Sequence, residues 1–311
     1  MQNTNQVITA NEEIDLIQLI QVLIKGKWII LSVTLFASIL VVIYSLSLPN
    51  IYKSEALLSP VTSQKGLAGA VQNFSGLASL AGINLPSEGT DSNAGKALEK
   101  VGSLSFFQEQ ILPNIFLPDL HAIESWSRGE NLINYDNEIF DSETGSWTRE
   151  VAAYQNPEPS VQESYRAFGE HIGINKDLKT GFIKLSVKHQ SPVVAQAWAE
   201  LIVTKINAFY KLKDKAEAEA SVRYLNSQIA QTGYAEIREV ISQLLQQQTQ
   251  KLTLIEANDY YVFEYIDPPA VMERKSEPMR AIICIIGAIL GGMVGCIVVL
   301  FRHYRPNTIT H

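Results

Sequence analysis

The sequence predicts an α+β protein in which two membrane-spanning helices flank one large extramembrane domain. Residues 28–48 and 281–301 form two segments of 21 residues without a charged side chain. As a helix, each would span about 30 Å, the thickness of a bilayer hydrocarbon core. Between them, short strand-like stretches precede and follow residues 193–258, which contain no proline. These observations predict a base of mixed helix and strand with a long helical extension.

Two membrane crossings would divide the chain into parts on opposite sides of the bilayer. Residues 1–27 precede the first span and residues 302–311 follow the second, so both ends lie on one side. The central part, 49–280, contains 232 residues and lies on the other side. That length is sufficient for a hydrophobic core of its own.

The N-terminal segment predicts a surface helix before the first span. Asn11 is a suitable N-cap, and isoleucines recur at helical spacing at 14, 17, 20 and 24. Such a stripe favours a helix that lies on the membrane surface. The segment is long and acidic for a signal peptide and lacks a small-residue cleavage site, so we interpret it as an uncleaved anchor.

Charge near the two spans does not decide which side faces the cytoplasm. Four basic residues flank the spans on the side of the chain ends, namely Lys25, Lys27, Arg302 and Arg305. Four others flank them on the side of the central part, namely Lys53, Arg274, Lys275 and Arg280. Because the counts are equal, the positive-inside rule gives no orientation.

The central part is acidic, with 21 Lys and Arg against 29 Asp and Glu. A net charge of −8 argues against nucleic acid or another polyanion as a partner. The two cysteines, Cys284 and Cys296, both lie in the second span. The central domain therefore contains no disulfide.

The pattern along the central part alternates between strands and helices. Strands are predicted at 52–59, 180–189 and 260–266, and helices at 94–112, 160–174 and 192–258, followed by a proline-containing stalk at 267–280. Gly233 is the one break in the long helical region, whose apolar stripe predicts pairing with its own neighbour or with another subunit. Residues 66–85 are rich in small side chains and predict packing inside the domain or between subunits. The aromatic stretch 124–159 predicts either a sugar-stacking surface or a satellite core under a long loop.

The second span carries glycines at a spacing that favours helix association. Gly287, Gly291 and Gly295 recur every fourth residue, with Gly292 beside them. Glycine at this spacing leaves a flat strip of backbone that another membrane helix can approach closely. The alternative is a plain anchor in which the glycines have no partner. Before this span, three prolines are expected to stiffen the stalk: Pro268, Pro269 and Pro278.

The sequence contains no pattern that predicts catalysis, a cofactor or a metal. None of the five histidines has a second histidine or an acid at metal-binding spacing. The stretch from Gly89 to Ala97 imitates a phosphate loop, but it has one residue too many between its glycines. Ala97 also stands where a magnesium-binding hydroxyl is required. We interpret this stretch as a loop followed by a helix start.

Taken together, the order of motifs resembles the bacterial polysaccharide co-polymerases, the chain-length determinants of lipopolysaccharide O-antigen and related surface glycans. The matching residues are 14–16 with Lys27-Trp28, 52–58, Ser191-Pro192 with 195–199, 224–229, 244–252, 267–271, Pro278 with Arg280, and the glycine strip. The resemblance extends over nearly the whole chain. The family is usually richer in proline before the second span, and Met272 stands where another is expected, so the stalk here is expected to be less rigid.

This resemblance implies a periplasmic α/β base domain, a long helical extension, and a ring-like homo-oligomer in the inner membrane with both termini cytoplasmic. It implies a non-catalytic regulator that acts with a membrane glycan polymerase in lipopolysaccharide biosynthesis. The polymerase extends a polyprenyl-diphosphate-linked glycan, which is a further expected partner. The resemblance implies no cofactor and no nucleic acid.

Three other classes remain as alternatives. An inner-membrane adaptor for capsule or exopolysaccharide export would have the same hairpin plan. A transmembrane sensor would need a cytoplasmic output module, which the ten residues 302–311 are too short to form. A membrane-anchored hydrolase would need paired carboxylates or a metal in a cleft.

Overall fold

The computed structural model describes residues 16–61, 91–152, 154 and 156–304. The described residues form two compact units, one made of 16–50 with 276–304 and the other of 51–275. The predicted small-residue segment 66–85 and both ends of the chain lie outside the described residues. The predicted α+β class is confirmed by the helices and strands of the two units.

The described helices, in chain order, are α1 (Leu16–Lys25), α2 (Lys27–Ser47), α3 (Asp91–Val101), α4 (Leu104–Phe106), α5 (Leu117–His121), α6 (Val161–His171), α7 (Pro192–Gln231), α8 (Ala235–Ala257) and α9 (Arg280–Tyr304). A π-helical turn (Phe107–Ile111) and a 3₁₀ turn (Leu112–Asn114) follow α4. The described strands are β1 (Tyr52–Pro60), β2 (Ile123–Ser127), β3 (Leu132–Tyr135), β4 (Phe140–Asp141), β5 (Ser146–Trp147), β6 (Ile172–Lys176), β7 (Ile183–His189) and β8 (Phe263–Asp267).

In the first unit, α2 and α9 pack against each other, and α1 packs against α9. Both α2 and α9 are long and apolar enough to cross a membrane. Their outer faces expose large apolar side chains such as Leu35, Phe36 and Ile289. Apolar exposure on this scale is unfavourable in water and favourable in lipid.

The second unit is built on a four-stranded antiparallel sheet with the strand order β6-β7-β1-β8. Strand β1 lies inside the sheet, and its residues alternate between fully and partly buried, as expected for a strand with one face on the core. It follows the first candidate span in the chain, and β8 precedes the stalk. Because β1 and β8 pair with each other, the chain enters and leaves this unit through neighbouring strands.

Helix α7 covers the sheet with its first half. Trp198, Ile202 and Ile206 lie at helical spacing and are buried against the sheet and against Phe106 and Phe107 in one core cluster. The helix has 40 residues and is therefore about 60 Å long. It cannot bury its whole length on this core, and its second half pairs with α8 instead.

The predicted helical region 192–258 is interrupted once, between α7 and α8. Residues Thr232 to Tyr234, around Gly233, form the connection, and α8 folds back along α7. Ile241 and Ile255 of α8 are buried on the paired face. Helix α8 therefore pairs within its own chain, which is one of the two arrangements that the sequence predicts. Only part of the predicted stripe is covered in this way, because Ile237, Val240 and Leu244 remain exposed.

A buried asparagine holds α7 to the segment that returns from α8. The Asn207 carbonyl oxygen accepts hydrogen bonds from the backbone N–H groups of Tyr261, Val262 and Phe263 at 3.3, 2.7 and 2.9 Å. Its amide nitrogen donates to the Phe263 carbonyl at 2.9 Å. One side chain thus satisfies four backbone polar groups of the segment that leads into β8.

The structure differs from the sequence prediction in two places. The helix predicted at 94–112 is broken after α3, because Gly102 ends it and the Ser103 hydroxyl accepts the backbone N–H of Phe106 to begin α4. Strand β6 directly follows α6, where the sequence predicts a helix to 174. Residues Gly173 and Ile174 pair with Ser186 and Leu185 of β7, so tertiary pairing decides this segment.

His189 ends β7 inside the core. Its exposed fraction is 1%. The Nδ1 atom accepts the backbone N–H of Ser191 at 2.9 Å, and Nε2 lies 2.9 Å from the Asp119 carbonyl oxygen, to which it donates. This arrangement requires a neutral ring, and burial lowers the pKa of His189 to about 4.

Acid should therefore destabilise the second unit through His189. In the unfolded chain, His189 takes up a proton near pH 6.5, whereas in the folded chain it does so only near pH 4. Stability contributed above pH 6.5 is thus lost as the pH falls towards 4, by about 3 kcal/mol. The free energy of unfolding, measured by chemical denaturation at several pH values for the native protein and for His189→Gln, tests this loss. His121, whose pKa burial also lowers, is present in both proteins. Parallel pH profiles would contradict the prediction.

Candidate functional site

The glycine strip of α9 lies against α2 of the same chain. A Cβ atom built on Gly287 would lie 2.5 Å from a methyl group of Val41, and one on Gly291 would lie 2.7 Å from the Ala37 Cβ. A Cβ on Gly295 would lie 3.0 Å from the Ile30 Cα. Real Cβ atoms essentially never come closer than 3.0 Å to another heavy atom, so a side chain at Gly287 or Gly291 would force α2 to shift, and one at Gly295 would be tight.

Gly292 lies beside the strip and not within it. A Cβ on this residue would meet only the Thr34 hydroxyl oxygen, at an ordinary 3.7 Å. Gly287, Gly291 and Gly295 are buried, whereas Gly292 is half-buried. The structure therefore gives three of the four predicted association glycines a partner within the chain. Association with a second copy remains a prediction for this region.

Two close approaches that the sequence analysis missed extend the contact to both ends of the helix pair. At one end, a Cβ on Gly26 would overlap the side chain of Val299. At the other, Arg280 donates from Nη2 to the Leu48 carbonyl oxygen at 3.4 Å and to the Asn50 side-chain oxygen at 3.2 Å. Gly26 follows Lys25 outside any glycine repeat, and only its position opposite α9 makes it significant.

The first part of the predicted stalk is held along β1. The buried Ser54 hydroxyl donates to the Ala270 carbonyl oxygen at 2.9 Å. Pro269 is buried, while Pro268 and Met272 are exposed, and Pro278 is half-buried in the other unit. The conformation of this segment thus depends on packing as well as on its prolines. A rigid stalk remains a prediction.

The aromatic stretch forms a satellite cluster under its own turns. The Phe140 ring contacts the rings of Tyr135 and Trp147, and Phe116 packs on Tyr135 and Phe140 at centroid distances of 6.1 and 5.9 Å. The Tyr135 hydroxyl donates to Asp119 at 2.6 Å. Trp126 packs edge-on against Tyr52 of β1. These contacts favour the satellite-core interpretation over sugar stacking.

The paired helices α7 and α8 expose apolar side chains near their connection. The exposed members are Tyr224, Tyr234, Ile237, Val240 and Leu244, and this set is called the distal stripe below. Ile237, Val240 and Leu244 share one face of α8 because they are three and four residues apart. Exposed apolar side chains grouped in this way are typical of protein–protein contacts.

Among the residues that the structure describes, no group of three or more His, Cys, Asp and Glu side chains is arranged to hold a metal ion. His121 and His171 make hydrogen bonds to Ser164 and to the Lys188 carbonyl, respectively. Both histidines are thus held by hydrogen bonds within the second unit.

Comparisons with known proteins agree with the resemblance. The family model described as Wzz, chain length determinant protein, matches residues 12–101. A chain length determinant protein from Salmonella typhimurium (strain LT2) is 22% identical over 322 aligned residues, which cover 96% of this chain and 95% of the relative. The resemblance to the chain-length determinants is confirmed.

Two solved structures are also similar. One is described as a full-length bacterial polysaccharide co-polymerase, with 17% identity, coverage of 94% of this chain and 100% of that chain, and a TM-score of 0.41. The other is a fragment of WzzB, a polysaccharide co-polymerase from Salmonella Typhimurium, with 14% identity, coverage of 73% and 100%, and a TM-score of 0.32.

Proposed function

We propose that this chain, which carries a Wzz chain length determinant region at 12–101, is a non-catalytic regulator of the chain length of a surface polysaccharide. The observation that carries the proposal is this family match, which includes α2 and β1. It is supported by a chain length determinant protein that aligns with 96% of this chain. The chain acts as a co-polymerase, in contact with a membrane enzyme that joins glycan repeats, and forms no glycosidic bond itself.

A homo-oligomer in the bacterial inner membrane is part of the same proposal. The distal stripe supports it, because these exposed apolar residues lie on a helix pair whose other face is already buried within the chain. Copies of one chain that meet by a head-to-tail contact close into a ring when the rotation permits. The partners proposed are a second copy of this chain, a glycan polymerase, and the polyprenyl-diphosphate-linked glycan that the polymerase extends.

Deletion of the gene should leave polymerisation running but remove length control. Because the protein makes no bonds, the surface glycan should lose its modal cluster and become a broad, mostly shorter distribution. Gel electrophoresis of the glycan, with and without the gene, measures this directly. Reintroduction of the intact gene should restore the modal cluster.

Three other results would contradict the proposal in different ways. Loss of all polymer with accumulation of single lipid-linked repeats would identify an essential component of the polymerase. Polymer of normal length retained inside the cell would identify the export adaptor. Sugar transfer or hydrolysis by the purified full-length protein would show that it is an enzyme.

The proposed topology places residues 49–280 in the periplasm and both ends of the chain in the cytoplasm. Ser142 is exposed in the turn between β4 and β5, a position suited to fusion of a reporter. A periplasm-active phosphatase fused after Ser142 should therefore be active, and the same enzyme fused at His311 should be inactive. The reverse pattern would overturn the assignment, and the equal charge counts near the spans make this test necessary.

A further inference from the structure

Three basic residues from three helices collect at one corner of the first unit. Gly26 separates α1 from α2 and lies directly against Val299 of α9. Lys25 and Lys27 flank Gly26, and Arg302 lies three residues beyond Val299, on the neighbouring turn of the same side of α9. The set Lys25, Lys27 and Arg302 is called the basic corner below. The sequence places Arg302 far from the other two, and only the Gly26–Val299 contact brings them near.

No described acidic residue of this unit balances these charges. The three side chains are exposed. Across residues 16–50 and 276–304, the one acidic residue is Glu277, which precedes the opposite end of α9. The acidic residues Glu12, Glu13 and Asp15 belong to the N-terminal residues outside the described part. The basic corner thus presents a local positive charge at the end of both candidate spans.

Helix α1 supplies an apolar face beside this charge. Val22 and Leu23 are half-buried, consistent with the packing of α1 against α9. Ile20 and Ile24, one turn apart, are instead 55% and 60% exposed. A short helix with exposed isoleucines on one face and a lysine at its end, next to a candidate membrane span, has the features of a helix seated in the lipid interface.

We propose that the basic corner binds the headgroups of anionic phospholipids, with Ile20 and Ile24 inserted at the acyl boundary of the same leaflet. Charge complementarity determines the occupant, since an anionic headgroup supplies the negative charge that the described residues lack, and the adjacent isoleucines require hydrocarbon. A cation close to an anionic membrane surface strengthens binding about fivefold. Lipid recognition at this corner is separate from glycan length control and does not depend on it.

Trp28 reports on this site. It follows Lys27 directly and is 71% exposed, whereas the other three tryptophans lie in the second unit. Full-length protein in mixed micelles is titrated with brominated phosphatidylglycerol or with brominated phosphatidylcholine, and the signal of a Trp28→Phe variant is subtracted. Quenching of Trp28 fluorescence should begin at a lower mole fraction of brominated phosphatidylglycerol than of brominated phosphatidylcholine. Added salt should reduce the difference.

Matched variants test whether charge at the basic corner is the cause. Lys25→Gln/Lys27→Gln/Arg302→Gln should lose the preference, by about fivefold for each charge removed. Lys25→Arg/Lys27→Arg/Arg302→Lys keeps the charges and should keep the preference. If the triple variant elutes abnormally from a sizing column, the three single glutamine variants replace it. Each should lose about fivefold of the preference for phosphatidylglycerol. Equal quenching of the native protein by both lipids, an undiminished preference in the glutamine variants, or loss in the charge-conserving variant would overturn the proposal.

Discussion

Replacing Gly291 by leucine is expected to separate α2 from α9 without removing any polar interaction. The new Cβ would lie 2.7 Å from the Ala37 Cβ and 3.4 Å from the Thr34 Cα, so the backbone of α2 must move away. Overpacking of this kind costs about 1–3 kcal/mol. The full-length protein should therefore unfold at a lower proportion of sodium dodecyl sulfate in mixed micelles than the native protein does.

Gly292→Leu is the matched control for this experiment. It makes the same substitution one residue further along α9, where a Cβ meets only the Thr34 hydroxyl oxygen at 3.7 Å. The Gly292→Leu protein should therefore unfold at the same proportion of sodium dodecyl sulfate as the native protein. Equal destabilisation by both substitutions would show that the helices do not pair through the strip. Because Gly292 lies beside the contact, chemical cross-linking of this variant also tests whether a second copy approaches α9 there.

Replacing Asn207 by leucine is expected to cause the largest loss of stability in the second unit. The substitution leaves three backbone N–H groups and the Phe263 carbonyl without their partner in a buried position. Unsatisfied buried groups cost about 1–3 kcal/mol each, and some recover water, so a total loss of about 3–5 kcal/mol is expected. For a unit of this size the melting temperature should fall by roughly 10 °C.

Asn226→Leu provides the comparison, since it makes the same substitution on the same helix at an exposed position. It should change the melting temperature little. Near-UV circular dichroism of the full-length protein follows the unfolding of the second unit. Similar melting temperatures for the two variants would contradict the role assigned to Asn207. A Gly233 substitution is a poorer comparison, because it alters the connection between α7 and α8.

Several features of this protein follow from the sequence because they depend on local pattern. Two long uncharged segments predict the helices α2 and α9, since segments of that length and composition favour lipid over water. The sequence also predicts a strand at 52–59, where β1 lies, and Ser191-Pro192 predicts the start of α7, where the Ser191 hydroxyl accepts the backbone N–H of Val194. The glycine spacing of the second span likewise predicts that a helix approaches it closely.

Only the tertiary structure decides which partner each of these features meets. The strip of Gly287, Gly291 and Gly295 would fit any apolar helix, and the fold places α2 against it. The same holds for Asn207, whose polar side chain looks unremarkable on a long helix until the start of β8 arrives beside it. Gly26 and Arg302 are far apart in the chain, and their proximity arises when α9 packs on the α1–α2 junction. Local sequence sets the preference of a segment, whereas burial and hydrogen bonding to distant residues select among the partners that this preference allows.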